Sequence, residues 1–277
     1  MRYLNGELLE DVALRRLAGF AAEALEMNAD GYWLADSGGK DSAVVHHLAE
    51  RAGVPYVAHH SLTTADPPEL VRHVRTLDVV IDRPAETMWQ LIRRKGMPPL
   101  RTVRYCCEVL KESGSDGYVV VTGLRAAESA RRRRRAMFEP CFRRRRHLLN
   151  PIFDWPTLAV WDYIRRHDLP YCRLYDEGFK RLGCVLCPCR CKREDVRYEM
   201  ERWPRLARAW ERAVKATWRP PAPGRRSFPS PEHMWQWWLD RRAGMEAYIP
   251  GPLFAGAASS LPAPSASSAM GPPEEIP

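Results

Sequence analysis

Two groups of residues in this 277-residue chain have the types and spacing to do chemistry. The first is Ser37-Gly38-Gly39-Lys40-Asp41-Ser42, which follows the apolar run YWLA at 32–35 and precedes the helical pattern SAVVHHLAERAG. Two glycines at a strand-to-helix turn permit a sharp bend and let an anion approach main-chain N–H groups. Ser37 and Ser42 add hydroxyl donors, and Lys40 adds a compact positive charge. The spacing is not GxxxxGK[ST], so the β/γ-phosphate cradle of that motif does not transfer. The second group is cysteine. Of eight cysteines, six lie in two clusters, Cys106-Cys107 and Cys184-x-x-Cys187 with Cys189 and Cys191 close behind; Cys141 and Cys172 stand alone. Such clustering points to metal rather than scattered core thiols, and four thiolates suit zinc or an iron–sulfur cluster.

These residues need a scaffold, and the surrounding pattern supplies one. Strand candidates at 32–35, 54–61, 77–82 and 118–124 alternate with helical patterns at 8–28, 42–53 and 86–96, with a further helix after Pro67-Pro68. Alternation of this kind predicts an α/β fold, an open parallel sheet with helices on both faces. In such sheets sites form at the carboxyl ends of strands, near a switch point. Ser37–Lys40, Ser61–Asp66 and Gly123–Arg125 each follow a strand candidate and are expected to share one crevice. Beyond Leu149 the texture changes. A helix is expected from about Pro156-Thr157, and Trp-rich helices over 193–217 and 231–246. The division expected is an N-terminal helix in 1–30, a nucleotide domain in 31–192, a helical extension in 193–249, and a disordered Pro/Ala/Ser-rich tail in 250–277.

Ordered sequence blocks narrow the reading. SGGKDS (37–42), TTADPPEL (63–70), RYCCEVLK (104–111), GLRAAESARR (123–132), PIFDWPTLAVWDYI (151–164) and LYDEGFKRLGCVLCP (174–188) occur in that order. Together they resemble the phosphoadenosine phosphosulfate reductase family of PP-loop ATP pyrophosphatases, within the adenine nucleotide alpha hydrolase superfamily, and its iron–sulfur-bearing branch in particular. The resemblance implies an adenine-nucleotide site, for adenylyl sulfate or ATP, made by Ser37, Gly38, Gly39, Lys40, Asp41, Ser42, Thr64, Asp66, Gly123, Arg125, Glu128 and Arg132. Lys40, Asp41, Lys111 and Arg125 would form its catalytic set. It also implies a [4Fe–4S] cluster on Cys106, Cys107, Cys184 and Cys187, a reductant such as thioredoxin, and Mg²⁺ if ATP is the substrate. The sequence departs from the reductase pattern in two respects: Cys189 and Cys191 crowd the second cluster, where two cysteines are expected, and no cysteine follows Cys191, where those enzymes carry a nucleophilic cysteine. This keeps open an ATP pyrophosphatase that adenylates a nucleic acid or metabolite for sulfur insertion. A third reading is a nucleotide- or nucleic-acid-binding module without turnover.

Charge bears on partners. The net charge is +9, and RRRRR (131–135) with RRRR (143–146) equals that excess, so a basic rim facing nucleotide or nucleic acid is one expectation and a solvated loop the other. No run of 18 apolar residues and no signal-type apolar segment occurs, so a cytoplasmic protein without a membrane partner is expected. His46-His47 and His59-His60, and the tryptophans Trp203, Trp210, Trp235, Trp237 and Trp238, are expected to pack rather than ligate or stack on bases.

Overall fold

The structure, a computed structural model, describes residues 1–221 and 227–240. Its centre is a six-stranded sheet of β1 (Tyr32–Ala35), β2 (Tyr56–Ser61), β3 (Val80–Asp82), β4 (Val119–Val121), β5 (Phe138–Cys141) and β6 (Arg146–Leu149). The spatial order is β3-β2-β1-β4-β6-β5, parallel except for β5, which runs antiparallel to β6. The chain walks outward from β1 to β3, then returns to the other side of β1 at β4. The order therefore reverses between β1 and β4, which is where a crevice opens in this class of sheet. β5 and β6 were not anticipated from sequence, because each is four residues long and interrupted by arginine or proline. Pro140 is tolerated because β5 is the edge strand.

Eleven helices cover the sheet among the described residues: α1 (Leu9–Gly19), α2 (Ala21–Met27), α3 (Lys40–Ala52), α4 (Pro68–Val74), α5 (Met88–Lys95), α6 (Tyr105–Leu110), α7 (Ala130–Arg133), α8 (Thr157–Arg166), α9 (Val196–Arg202), α10 (Pro204–Lys215) and α11 (Pro231–Asp240). The helix expected over 8–28 is two, broken at Phe20 (φ −106°, ψ 6°). The one expected over 193–217 is likewise split at Trp203, whose following Pro204 starts α10. On one face α1, α3 and α8 bury Leu17, Val44, Leu48, Val160 and Tyr163 against Tyr32, Leu34, Val119 and Val121.

The other face carries α4, α5, α6 and the Trp-rich helices. Trp203, Trp210, Trp235, Trp237 and Trp238 are all buried there, in one core with Leu91, Tyr105, Cys184 and Leu186. The helices of 196–240 thus share a core with the turn that bears the second cysteine cluster. Trp210 makes the link: its indole N–H donates to the Val185 carbonyl at 2.8 Å, and its ring meets Trp89 and Trp238 at centroid distances of 5.2 and 4.8 Å. The tail expected after Pro250, and the last residues of the helix expected over 231–246, lie outside the described residues. No helix among the described residues is long and apolar enough to cross a membrane.

Trp210→Ala should lower stability by about 3–5 kcal/mol, the usual cost of truncating a buried aromatic. It should also raise the rate at which Cys184 is labelled by a thiol reagent. Urea unfolding and timed alkylation read the two effects on one sample.

Candidate functional site

The crevice between the ends of β1 and β4 is built on Asp36. Its buried carboxylate accepts the Gly38 N–H at 2.8 Å and pairs with His46 Nδ1 at 3.0 Å, while its carbonyl meets His60 Nδ1 at 2.9 Å. Burial opposes ionisation of Asp36, but the bonds from His46, Gly38 and Ser42 outweigh it and hold the carboxyl below its ordinary range. The histidine pairs are thereby accounted for by packing: His59 stacks on Trp33 at 3.4 Å between centroids, and His47 meets the Tyr163 hydroxyl at 2.9 Å. Gly38 takes φ +68°, and a Cβ there would lie 2.6 Å from Val74 Cγ2. Only glycine satisfies both the left-handed backbone and the approach of α4.

The rest of the turn is held by its own side chains and by Arg125. Ser42 Oγ accepts the Gly39 N–H at 3.1 Å and donates to the Gly39 carbonyl at 2.9 Å, so this buried hydroxyl closes the turn on itself. Ser37 is exposed, 3.3 Å from Ser42 Oγ. Asp41 accepts from two cations: Lys40 Nζ at 2.7 Å and Arg125 Nε at 2.7 Å. Lys40 and Arg125 are 4% and 1% exposed, so two buried positive charges share one carboxylate. Arg125 also donates to the Trp155 carbonyl at 3.0 Å and to Thr157 Oγ1 at 3.3 Å. Gly123 lets β4 run close under α3, since a Cβ there would fall 2.8 Å from the Asp41 carbonyl carbon.

Lys40 and Arg125 open onto a cleft of about 500 Å³ whose other walls are Glu128, Thr157, Trp161, Tyr175, Lys180 and Arg181. Sequence reasoning missed Tyr175, Trp161, Lys180 and Arg181. Tyr175 and the two cations lie inside the block LYDEGFKRLGCVLCP, so that block held the missing signal. The Tyr175 hydroxyl accepts the Lys40 main-chain N–H at 3.0 Å, and its ring lies 5.7 Å beneath Lys40 Nζ. Glu128 pairs with Arg132, accepts the Arg125 N–H at 3.1 Å and has Arg181 at 3.7 Å. Arg132 is therefore held by Glu128, behind the wall of the cleft.

The 61–66 loop joins this crevice to the cysteines. Asp66 accepts the Thr63 N–H at 2.7 Å and lies 3.9 Å from Cys184 Sγ; Thr63 Oγ1 lies 3.2 Å from the same sulfur. Thr64, at φ +62°, accepts the Met88 N–H at 2.9 Å and so caps α5. Cys106 and Cys107 sit on α6, facing the Cys184–Cys187 turn. The Cys106 thiol is pushed well above its usual range, first by its hydrogen bond with Cys107, then by burial and the charges of Cys107, Cys187 and Cys184. Cys107 is brought down to about 5, first by Cys106 and, against burial, by the Arg104 guanidinium 3.4 Å away. The Lys111 ammonium, at the end of α6, is held above its usual range by the charge of Cys184 and then of Asp66, Cys187 and Cys107.

The Cys184–Cys187 turn has its own brace. Leu186 takes φ +52°, and its N–H donates at 2.7 Å to Glu199, which is 1% exposed and pairs with Arg190 at 2.6 Å. Arg190 in turn donates to the Cys184 carbonyl at 3.1 Å. Glu199 and Arg190 were not anticipated, since a Glu on a Trp-rich helix has no local signature. Cys189 is half-buried against Cys187, Cys191 and Cys172 are buried, and Cys141 lies on edge strand β5. Cys106 lies within electrostatic reach of Cys107, Cys184 and Cys187, which come from two segments of the chain. Among the described residues no three His, Cys, Asp or Glu side chains are close enough to chelate a single ion.

Residues 31–190 match the model of the phosphoadenosine phosphosulfate reductase domain. An uncharacterized protein of Methanocaldococcus jannaschii is 28% identical over 217 residues, covering 73% of this chain and 45% of that protein. The adenosine 5'-phosphosulfate reductase of Neisseria meningitidis is 36% identical over 102 residues, covering 34% of this chain and 41% of the enzyme. The chain thus spans less than half the length of these curated relatives. Among solved structures, a phosphoadenylyl-sulfate reductase from Candida auris, in a phosphate complex, aligns over 66% of this chain and 96% of its own with TM-score 0.47 and 16% identity.

Gly38→Ala tests the turn directly. It should cost at least about 1–3 kcal/mol from the left-handed backbone alone, with the collision against Val74 in addition. A lowered denaturation midpoint by circular dichroism is the expected result.

Proposed function

Because the chain belongs to the phosphoadenosine phosphosulfate reductase family, we propose that it is an enzyme of sulfur metabolism or sulfur transfer. It binds an adenine nucleotide in the Lys40–Arg125 cleft, beside a [4Fe–4S] cluster held by Cys106, Cys107, Cys184 and Cys187. The observation that carries the reading is the pair of buried cations on one carboxylate. Asp41 offsets only one of the two charges of Lys40 and Arg125, and buried charge is costly unless paired. A sulfate or phosphate adjoining an adenylyl group supplies the missing negative charge. It would accept from the Lys40 ammonium and from main-chain N–H groups at the start of α3, where the helix dipole favours anions. Trp161 and Tyr175, edge to face at 5.3 Å, offer an apolar wall for the adenine.

The Tyr175 hydroxyl holds the place such an anion would take on the Lys40 N–H. Anion binding therefore displaces it and moves the 174–188 segment, which also carries Cys184 and Cys187. Loop occupancy and cysteine position are coupled in this way. The cluster would supply redox-active iron. The support for it is the ligand set, four thiols from two segments within electrostatic reach of one another.

The same anion site accepts the sulfate of an adenylyl sulfate, with thioredoxin or a similar dithiol as reductant, or the pyrophosphate of ATP with Mg²⁺. Product analysis by mass spectrometry separates them. Sulfite and the corresponding adenosine phosphate from an adenylyl sulfate mark reduction; pyrophosphate from ATP marks adenylation of an acceptor. Release of neither from cluster-loaded protein would overturn the enzymatic reading.

Two further outcomes are expected. Lys40→Ala should weaken adenine-nucleotide binding by about 10–100-fold, the worth of one charge-assisted hydrogen bond, with an unchanged circular dichroism spectrum; calorimetry reads the affinity. Anaerobically purified protein should be brown and contain about four irons per chain, falling sharply in Cys184→Ser. A colourless protein with one zinc would refute the cluster.

A further inference from the structure

The two arginine runs come together in space over the helix that carries the vicinal cysteines. A second open cavity, of about 470 Å³ and separate from the nucleotide cleft in its lining, is bounded by Arg101, Arg104, Cys107, Glu108, Glu112 and Arg131. Its two carboxylates are already engaged by the second run: Glu108 with Arg144 at 3.4 Å, and Glu112 with Arg146 at 3.2 Å. Arg144 also donates to the Glu112 carbonyl at 2.7 Å, fixing the 142–146 turn against α6. What remains facing the cavity is positive. Arg101, Arg104 and Arg131 have no carboxylate partner among the described residues, and each is exposed. Arg133 and Arg134, close after Arg131, and Arg145, between Arg144 and Arg146, are exposed too and have no carboxylate partner among the described residues.

We propose that this groove binds the phosphodiester backbone of a nucleic acid strand and lays it across Cys107. A single phosphate needs one or two guanidinium groups. Six arginines without a carboxylate partner among the described residues, of which Arg104 donates to Cys107 Sγ at 3.4 Å, come from three separate segments and suit a chain of phosphates, each releasing counterions as it is neutralised. Cys107 at the groove wall places the strand against the cysteine face of α6, where the proposed enzyme would bring its sulfur chemistry to an acceptor. That role for the strand rests on the proposed function; the binding itself does not.

The test is fluorescence anisotropy of a short labelled oligonucleotide, as a single strand and as a duplex, with the full chain purified anaerobically. Binding to either should weaken linearly in log–log form between about 50 and 200 mM salt. The triple variant Arg101→Ala, Arg131→Ala, Arg134→Ala should lose at least tenfold in affinity, and the single-strand slope should flatten by about 2, near 0.7 per lost phosphate contact. Its calorimetric affinity for adenine nucleotide should be unchanged, and the corresponding Arg→Lys triple should retain most of the binding. No binding of strand or duplex at low salt would overturn the proposal, as would a triple variant that binds like the parent. Displacement of the oligonucleotide by inorganic phosphate at matched ionic strength would assign the groove to a small anion and overturn it as well. Because Lys40→Ala reports the nucleotide cleft alone, an unchanged adenine-nucleotide affinity in that variant, with intact oligonucleotide binding, would reject the proposed function and leave the groove standing.

Discussion

Two buried cations on a single carboxylate, Lys40 and Arg125 on Asp41, constrain everything around them. Each partner comes from a different part of the chain: the lysine and aspartate open α3, and the arginine follows β4. The pairing can form only because β1 and β4 lie side by side at the point where strand order reverses, and because Gly123 has no Cβ to hold α3 away. Removing Asp41 would leave two uncompensated buried charges, the situation in which a broken buried ion pair costs about 3–5 kcal/mol. The same imbalance makes the cleft receptive to an anion. Fold and binding therefore draw on one electrostatic arrangement.

The cysteine side is fastened to that arrangement rather than placed beside it. Asp66 and Thr63 reach Cys184 from the loop after β2, and the Val185 N–H donates to the Ala65 carbonyl at 2.8 Å. Behind the turn, Glu199, Arg190 and Trp210 hold its main chain from the Trp-rich helices. Of the indoles on those helices, Trp210 bonds the turn itself, while Trp203 donates to Glu69 and Trp238 to the Pro99 carbonyl, tying the helices to α4 and to the loop after α5. Tyr175 closes the circuit, standing on the Lys40 N–H at one end of the segment that bears Cys184 and Cys187 at the other.

The sequence made some of this legible. The strands β1 to β4 are legible to within a few residues: β4, Val119–Val121, is buried on both faces and reads as a continuous apolar run, while β1 to β3 are only partly buried and are marked by their aromatic and β-branched residues. SGGKDS and the paired cysteines were legible because glycine and cysteine are used for what no other residue does. The remainder was hidden for physical reasons. β5 and β6 are short, and their burial comes from neighbours rather than their own pattern. Ser42 reads as a ligand donor but is spent on the Gly39 peptide, Thr64 is spent on the start of α5, and Arg132 is held by Glu128. A sequence gives a side chain's capacity to donate, not which acceptor folding brings to it first. Glu199 and Arg190 act across elements, and no local spacing announces such a pair.

The proposed chemistry requires an adenine nucleotide's anion at the Lys40 end of the turn, with iron held by the facing cysteines. A crystal structure of the anaerobically purified protein with a non-hydrolysable ATP analogue, recorded also at the iron absorption edge, tests both at once. The expected result is phosphate density on the Lys40 main-chain N–H and Lys40 Nζ, with Tyr175 moved off that N–H. An iron anomalous peak should lie between Cys106-Cys107 and Cys184–Cys187. Nucleotide bound elsewhere, with Tyr175 still on the loop and no iron between the cysteine segments, would contradict it.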